Sequence, residues 1–250
     1  MQVSVAIIAR DAQKFLPKCL ESIRNLSDDV VVVIDKRTTD TTPQIAGKFQ
    51  TRIFYRDFDD FASQRNYAAS QTKYNWVLSL DTDETASEGL IKAIKNLPAT
   101  PLFSSYLIPR QNLIFGKIIK YTNWDPYGLI RLFDKREGHW EGEVHEEIVS
   151  TGQSGRLFDP IYHDNYRSVD EFMVRQDSYS SRQADQLFKQ GTKFSFMQFL
   201  WQPKFDFLRR YIIHTGFFDG WHGLFLSYLM AIYHFSVWIK LWQKYQKAYS

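Results

Sequence analysis

The chain has 250 residues, 44% hydrophobic and 24% charged, enough to bury one sizeable core and carry an appendage. Lys plus Arg number 31 and Asp plus Glu 28; a net charge of +3 is too balanced for nucleic-acid binding driven by bulk electrostatics. A single cysteine, Cys19, excludes an internal disulfide and every cysteine-cluster metal site, and fits a reducing compartment.

The chain enters a β-rich run, Val3 to Ile8, without the basic-then-apolar pattern of a signal peptide. A helical pattern with Phe15, Cys19, Leu20 and Ile23 follows, then a second strand from Val30 to Ile34 that ends at Asp35. Thr41-Thr42-Pro43 starts another helix, with proline in its first turn and Asp40 placed to cap it. A third strand, Arg52 to Tyr55, leads through the acidic-aromatic loop Asp57 to Phe61 into a helix from Ala62 to Gln71. Trp76 to Leu80 is an apolar run that breaks into Asp81-Thr82-Asp83-Glu84. Strands alternating with helices of this length predict βαβ units and a mostly parallel sheet flanked by helices. Beyond about Ser104 the segments Tyr106–Arg110, Lys117–Tyr121, Leu129–Phe133 and Glu143–Val149 read as shorter strands, and from Val169 the pattern is helical.

The carboxyl end of the strand before Asp81 is where open α/β sheets bind ligands. Residues two apart in an extended segment point the same way, so Asp81 and Asp83 converge on one object, and hard oxygen donors suit Mg²⁺ or Mn²⁺. Asp35 ends one neighbouring strand, and Arg10 and Asp11 follow another. Four glutamates, Glu141, Glu143, Glu146 and Glu147, cluster after Trp140. Mutual repulsion in such a group can lift one carboxylate into the range of a general base. Strict strand alternation sets Glu146 on the face opposite Glu141, Glu143 and Glu147.

The ordered set resembles the family-2 inverting glycosyltransferases of the GT-A fold. Carrying the resemblance are Val5 to Asp11, Val31 to Thr42, Gln64-Arg65-Asn66-Tyr67-Ala68 and Asp81-Thr82-Asp83. Arg131-Leu132-Phe133, Glu141 to Glu146, His163, Tyr166-Arg167 and Gly216 to Gly223 are similar to a subgroup containing lipopolysaccharide-core glucosyltransferases. Lys36-Arg37 departs from the small turn usual after Asp35, and Trp124 to Gly128 matches only at Trp124 and Pro126. The resemblance implies a catalytic domain over 1–168, divided into a nucleotide half (1–103) and an acceptor half (104–168). It implies a nucleotide-diphosphate sugar as donor, UDP-sugar favoured, contacted by Arg10, Asp11, Asp35, Arg65 and Asp81. A divalent cation would be held by Asp83 and Asp81, with His163 a further candidate, and Glu146 would be the base, with Glu147 as its rival. Trp124 and Trp140 are candidates for a platform under a sugar ring. The implied acceptor is a glycolipid or lipopolysaccharide core. The alternative is a non-catalytic membrane-bound protein of the same fold that binds nucleotide or glycan.

Residues 169–250 form a helical, aromatic-rich region: of 41 Phe, Trp and Tyr residues, 18 fall from Phe194 onward. Gly223 to Ile239 carries no Asp, Glu, Lys or Arg over 17 residues, short of the ~20 needed to span a bilayer. This predicts a monotopic element lying in the membrane surface, on the inner, cytoplasmic face of the cell membrane if the resemblance holds; the other use of such a surface is a helix pair packing on the catalytic domain or on a second subunit of a homo-oligomer.

Overall fold

A computed structural model describes residues 1–124, 127–142 and 146–249. Asp125, Pro126, Glu143, Val144 and His145, which fall in segments read above, lie outside the described residues. The first unit, residues 1–111 and 126–163, opens with β1 (Val3–Ala9), α1 (Leu16–Ser22), β2 (Val30–Asp35), α2 (Thr42–Lys48) and β3 (Arg52–Arg56). It continues with α3 (Phe61–Ser70), β4 (Trp76–Asp81), β5 (Glu84–Ala86) and α4 (Glu88–Lys95). β6 (Ser105–Ile114), β7 (Lys117–Ile119), β8 (Tyr127–Asp134), β9 (Gly138–Glu141), β10 (Glu147–Ser150), β11 (Ser154–Arg156) and β12 (Ile161–Tyr166) complete the strands, with Asn112 to Ile119 belonging to the second unit.

The main sheet runs β3-β2-β1-β4-β8-β6-β12-β5, with β7 and β11 also paired to β6. Its first four strands are parallel, and β8 then enters antiparallel against β4. Alternation along β1 explains the layers. Val5 and Ile7 face a core shared with Leu16, Leu20, Leu90 and Ile94, while Ala6 faces Ala62, Ala68 and Trp140 on the other side. Helix starts follow local chemistry. Asp60 accepts the Ser63 N–H at 2.8 Å, Ser87 accepts from Leu90 at 3.1 Å, and Asp40 accepts from Thr42 N–H at 2.9 Å. Glu84 lies in β5, fully buried.

The second unit comprises residues 112–125 and 164–250, so a segment from the acceptor half of the sequence belongs to it. It contains α5 (Val169–Lys189), α6 (Phe196–Leu208), a π-helical turn over Arg209–Ile213, a 3-10 turn over Gly216–Asp219 and α7 (Trp221–Tyr249). Its glycine-rich motif has a steric reason. A Cβ on Gly223 would stand 1.8 Å from the Gly216 carbonyl oxygen, and Gly220 has φ +64°. Buried Asp219 accepts N–H groups of Lys120 at 3.2 Å and Tyr121 at 2.9 Å and the Thr122 hydroxyl at 3.1 Å, tying that loop down.

Candidate active site

Because β2, β1 and β4 are neighbours in parallel, Asp35, the Arg10-Asp11 turn and Asp81 emerge at one sheet edge. Asp81 is the centre of a charge cluster. Arg65 Nη2 donates to one carboxylate oxygen at 2.6 Å and Arg131 Nη2 to the other at 3.1 Å. Arg65 Nη1 donates to Glu146, so a single guanidinium joins two of the carboxylates expected to act together. Burial pushes the Asp81 carboxyl up, but Arg65 and Arg131 pull it further down, and it stays ionised below the ordinary carboxylate range. Burial also lowers Arg131, and Glu84 and Asp81 more than reverse that.

Glu84 holds the cluster from below. It accepts from Arg131 Nη2 at 3.1 Å and from the Asp81 backbone N–H at 3.0 Å, and pairs with Arg110 at 2.8 Å. Trp140 supports it from the side, its ring 4.6 Å from the Arg65 guanidinium and 5.4 Å from that of Arg131. Asn66, the neighbour of Arg65 on α3, both donates to the Trp140 carbonyl and accepts its N–H, each at 2.8 Å. Trp140→Leu is expected to cost at least about 2 kcal/mol more than Trp140→Phe, which keeps a ring face for the guanidiniums. Urea denaturation of both variants tests this, and equal losses would show that the stacking contributes nothing.

Asp83 lies beside His163, whose Nε2 is 3.3 Å from its Oδ2. Among the described residues no group of three His, Cys, Asp or Glu side chains is placed to hold a metal ion. The Asp83 carboxylate suits Mg²⁺ or Mn²⁺ when substrate oxygens and water fill the other positions, and the His163 imidazole would add a softer ligand. Asp81 carries a guanidinium on each oxygen, so ligation through it would require one of them to move.

Asp35 is buried and gripped by Arg37, with Nη2 to Oδ2 at 2.6 Å and Nε to Oδ1 at 3.0 Å, while Arg10 stands 3.8 Å away. Arg37 holds its carboxyl below the usual range. Asp11, at φ +46°, accepts the Thr39 N–H at 2.8 Å and so links the first two strand-end loops. Glu147 opens β10 opposite Glu141 and is exposed, apart from this cluster. Because the strand begins at Glu147, the alternation expected across Glu143–Val149 does not govern Glu146. Trp140 and Trp124 fall in different units, and Trp124 packs on Tyr166 at 6.0 Å. Cys19 Sγ donates to the Asp81 carbonyl at 3.5 Å; burial and the carboxylates of Glu84 and Asp81 push its thiol well up, which keeps it unreactive.

Sequence reasoning missed Glu84, Arg110 and Trp140 as members of this cluster and quoted Arg131 only as part of a motif. The available signal was a charged residue inside an apolar strand: Leu129-Ile130-Arg131-Leu132-Phe133 and Leu107-Ile108-Pro109-Arg110 both show it.

Comparison with known proteins bears on this geometry. The model of the family described as Glycosyl transferase family 2 matches residues 4–139. An uncharacterized glycosyltransferase of Rickettsia typhi is 26% identical over 247 residues, covering 94% of this chain and 84% of the relative. The lipopolysaccharide core biosynthesis glycosyltransferase LpsC of Rhizobium meliloti is 24% identical over 253 residues, covering 98% and 93%. Among solved structures, S. aureus TarS 1–349 in complex with UDP aligns with a TM-score of 0.50 at 14% identity, over 99% of this chain and 92% of that one. That likeness concerns the fold.

Proposed function

The chain belongs to glycosyl transferase family 2 and is a nucleotide-sugar glycosyltransferase; from that premise we propose an inverting hexosyltransferase that takes a UDP-sugar as donor and a lipopolysaccharide core or related glycolipid as acceptor. The observation that carries the reading is Arg65, a buried guanidinium shared by Asp81 and Glu146 at the carboxyl end of β4. The acceptor class is supported by the Rhizobium relative, a lipopolysaccharide core biosynthesis glycosyltransferase, and UDP by the ligand of the TarS structure.

In this reading Glu146 takes the proton from an acceptor hydroxyl as its oxygen attacks the anomeric carbon and the bond to the diphosphate breaks on the opposite face. Asp81, kept ionised, positions the ribose. Arg10, Asp11 and Asp35 meet the nucleoside, and Arg65 and Arg131 hold positive charge beside the departing diphosphate. Asp83 and His163 would hold a divalent cation, which when bound neutralises charge developing on the diphosphate. The work would take place at the cytoplasmic face of the cell membrane, for which the exposed apolar surface of α6 and α7 is the support.

A second reading, binding without turnover, draws on Arg37, which occupies both oxygens of Asp35. Calorimetric titration with uridine, guanosine, cytidine and thymidine diphosphates, each with and without Mn²⁺, tests the assignment. Mn²⁺-dependent binding of UDP, lost in Asp83→Ala, is expected. Folded protein that binds none of the four would sink it. UDP binding with no sugar transfer to any lipopolysaccharide or glycolipid acceptor would favour the second reading.

A further inference from the structure

We infer that the α6–α7 face of the second unit seats in the interface of an anionic phospholipid bilayer, lying in the plane of the surface rather than crossing it. The inference rests on the membrane placement proposed above, and its test needs neither donor nor acceptor.

The first observation is a stripe. At 100° per residue, Trp221, Phe225, Tyr228, Ile232, Ile239 and Trp242 fall on one side of α7, and all six are exposed, Trp221 by 71%. Trp201, Phe205 and Leu208 of α6 are likewise exposed, as is Phe218 of the 3-10 turn, by 65%. Ring contacts join these elements into one surface. Tyr228 meets Phe207 at 4.5 Å, Phe207 meets Tyr211 at 5.7 Å, Tyr211 meets Phe217 at 6.2 Å and Phe217 meets Phe218 at 4.5 Å. Monomeric soluble proteins rarely leave a contiguous apolar patch of this kind open. Its tryptophan and tyrosine content is that of side chains which settle at the headgroup boundary.

The second observation is charge. From Gln190 to Ser250 there are seven lysines and arginines and two acids, Asp206 and Asp219. Both acids are buried and paired internally: Asp206 with Arg209 at 2.8 Å and Arg210 at 2.7 Å, and Asp219 with the loop over 120–122. The α6–α7 region therefore contributes no exposed carboxylate, while Lys204 sits exposed 5.5 Å over the Trp201 ring. Arg209 and Arg210 are held by Asp206, and Lys240 and Lys244 by Asp177 and Asp185, so the positive charge offered to a headgroup is that of exposed lysines such as Lys193 and Lys204, each basic residue near such a surface being worth ~1 kcal/mol, or about fivefold.

The third observation separates lying from crossing. By length and composition α7 could span a membrane. Its other sides, however, are fastened to its own unit. Lys240 donates to Asp177 at 2.6 Å and to Ser180 at 2.8 Å, Tyr233 donates to Gln183, Lys244 pairs with Asp185 and Trp238 donates to Gln202. A helix so bonded to the polar helix α5 can give only one face to hydrocarbon, whereas a spanning helix needs lipid or apolar protein all round.

Flotation of the full chain with vesicles of phosphatidylcholine, alone or mixed with phosphatidylglycerol, tests the inference. Binding to the mixed vesicles is expected to be at least about tenfold tighter, with the preference fading at high salt. The double variant Trp221→Ser, Phe225→Ser should bind both vesicle types at least about tenfold more weakly while keeping its circular dichroism. Lys204→Glu should reduce only the preference for phosphatidylglycerol. Wild-type protein that stays in the aqueous fractions, shows no lipid preference, or floats as well with the ring variant as without it would overturn the inference. So would self-association abolished in the ring variant, which would give the face to a second copy of the chain.

Discussion

Glu146→Gln is expected to lower sugar transfer about 10²–10⁴-fold, the range that a positioned general base supplies. Glutamine keeps the size of the side chain and an oxygen that can accept from Arg65, so the local packing survives. What it lacks is an anion able to take the acceptor proton. Nucleotide binding should change little, because Asp81 retains both guanidiniums. Glu147→Gln should leave transfer near wild type, since Glu147 is exposed in β10 opposite Glu141. Product release from the donor identified by nucleotide titration, measured alongside that titration, separates the two steps. Near-normal turnover in Glu146→Gln would remove it from the base role.

The largest stability effect is expected at Glu84. Glu84→Ala deletes a fully buried carboxylate on which Arg131 and Arg110 converge and which accepts the Asp81 N–H. Breaking a buried pair by removing one partner costs about 3–5 kcal/mol, because the remaining charge cannot regain water. Glu84→Gln keeps the backbone hydrogen bond but loses the charge, and should fall between the alanine variant and wild type. Urea midpoints at constant m-value give the comparison. A glutamine variant as stable as wild type would mean that shape and one hydrogen bond, not charge, hold this position. Weakened nucleotide binding should accompany the loss, since Arg131 bonds Glu84 and Asp81 through the same nitrogen.

The two experiments probe different layers of one network. Trp140, Asn66 and Glu84 set where the guanidiniums stand, and Arg65 and Arg131 in turn set the charge around Asp81 and Glu146. Arg37 does comparable work at Asp35, which makes the Lys36-Arg37 departure from the family's small turn a structural feature of the end of β2.

Much of the first unit was legible in the sequence because its signals are local. The apolar runs of β1, β2 and β4 are buried strands, and Asp35 and Asp81 end two of them. Asp60 and Pro43 mark helix starts at the positions their chemistry demands. From these alone followed the α/β fold, the sheet edge at which Asp35 and Asp81 emerge, and the family resemblance through Asp81-Thr82-Asp83. The short strands β5, β9, β11 and β12 were not legible. Ile161–Tyr166 reads Ile-Tyr-His-Asp-Asn-Tyr, and it is held by pairing with Glu84–Ala86 far away in the chain, a contact that no local pattern encodes.

The sequence by itself determined which residues end the parallel strands and which region carries the unpartnered aromatic surface, since both follow from near-neighbour periodicity. Tertiary structure alone decided that Arg65 joins Asp81 to Glu146, partners 16 and 81 residues away, and that Glu84 lies beneath them. It also decided that Glu146 precedes its strand instead of alternating within it, and that Asn112 to Asp125 belongs with the C-terminal helices. The reason is physical: a buried charge must find its counter-charge across the fold, and the register and packing that bring the two together are properties of paired segments, not of either one.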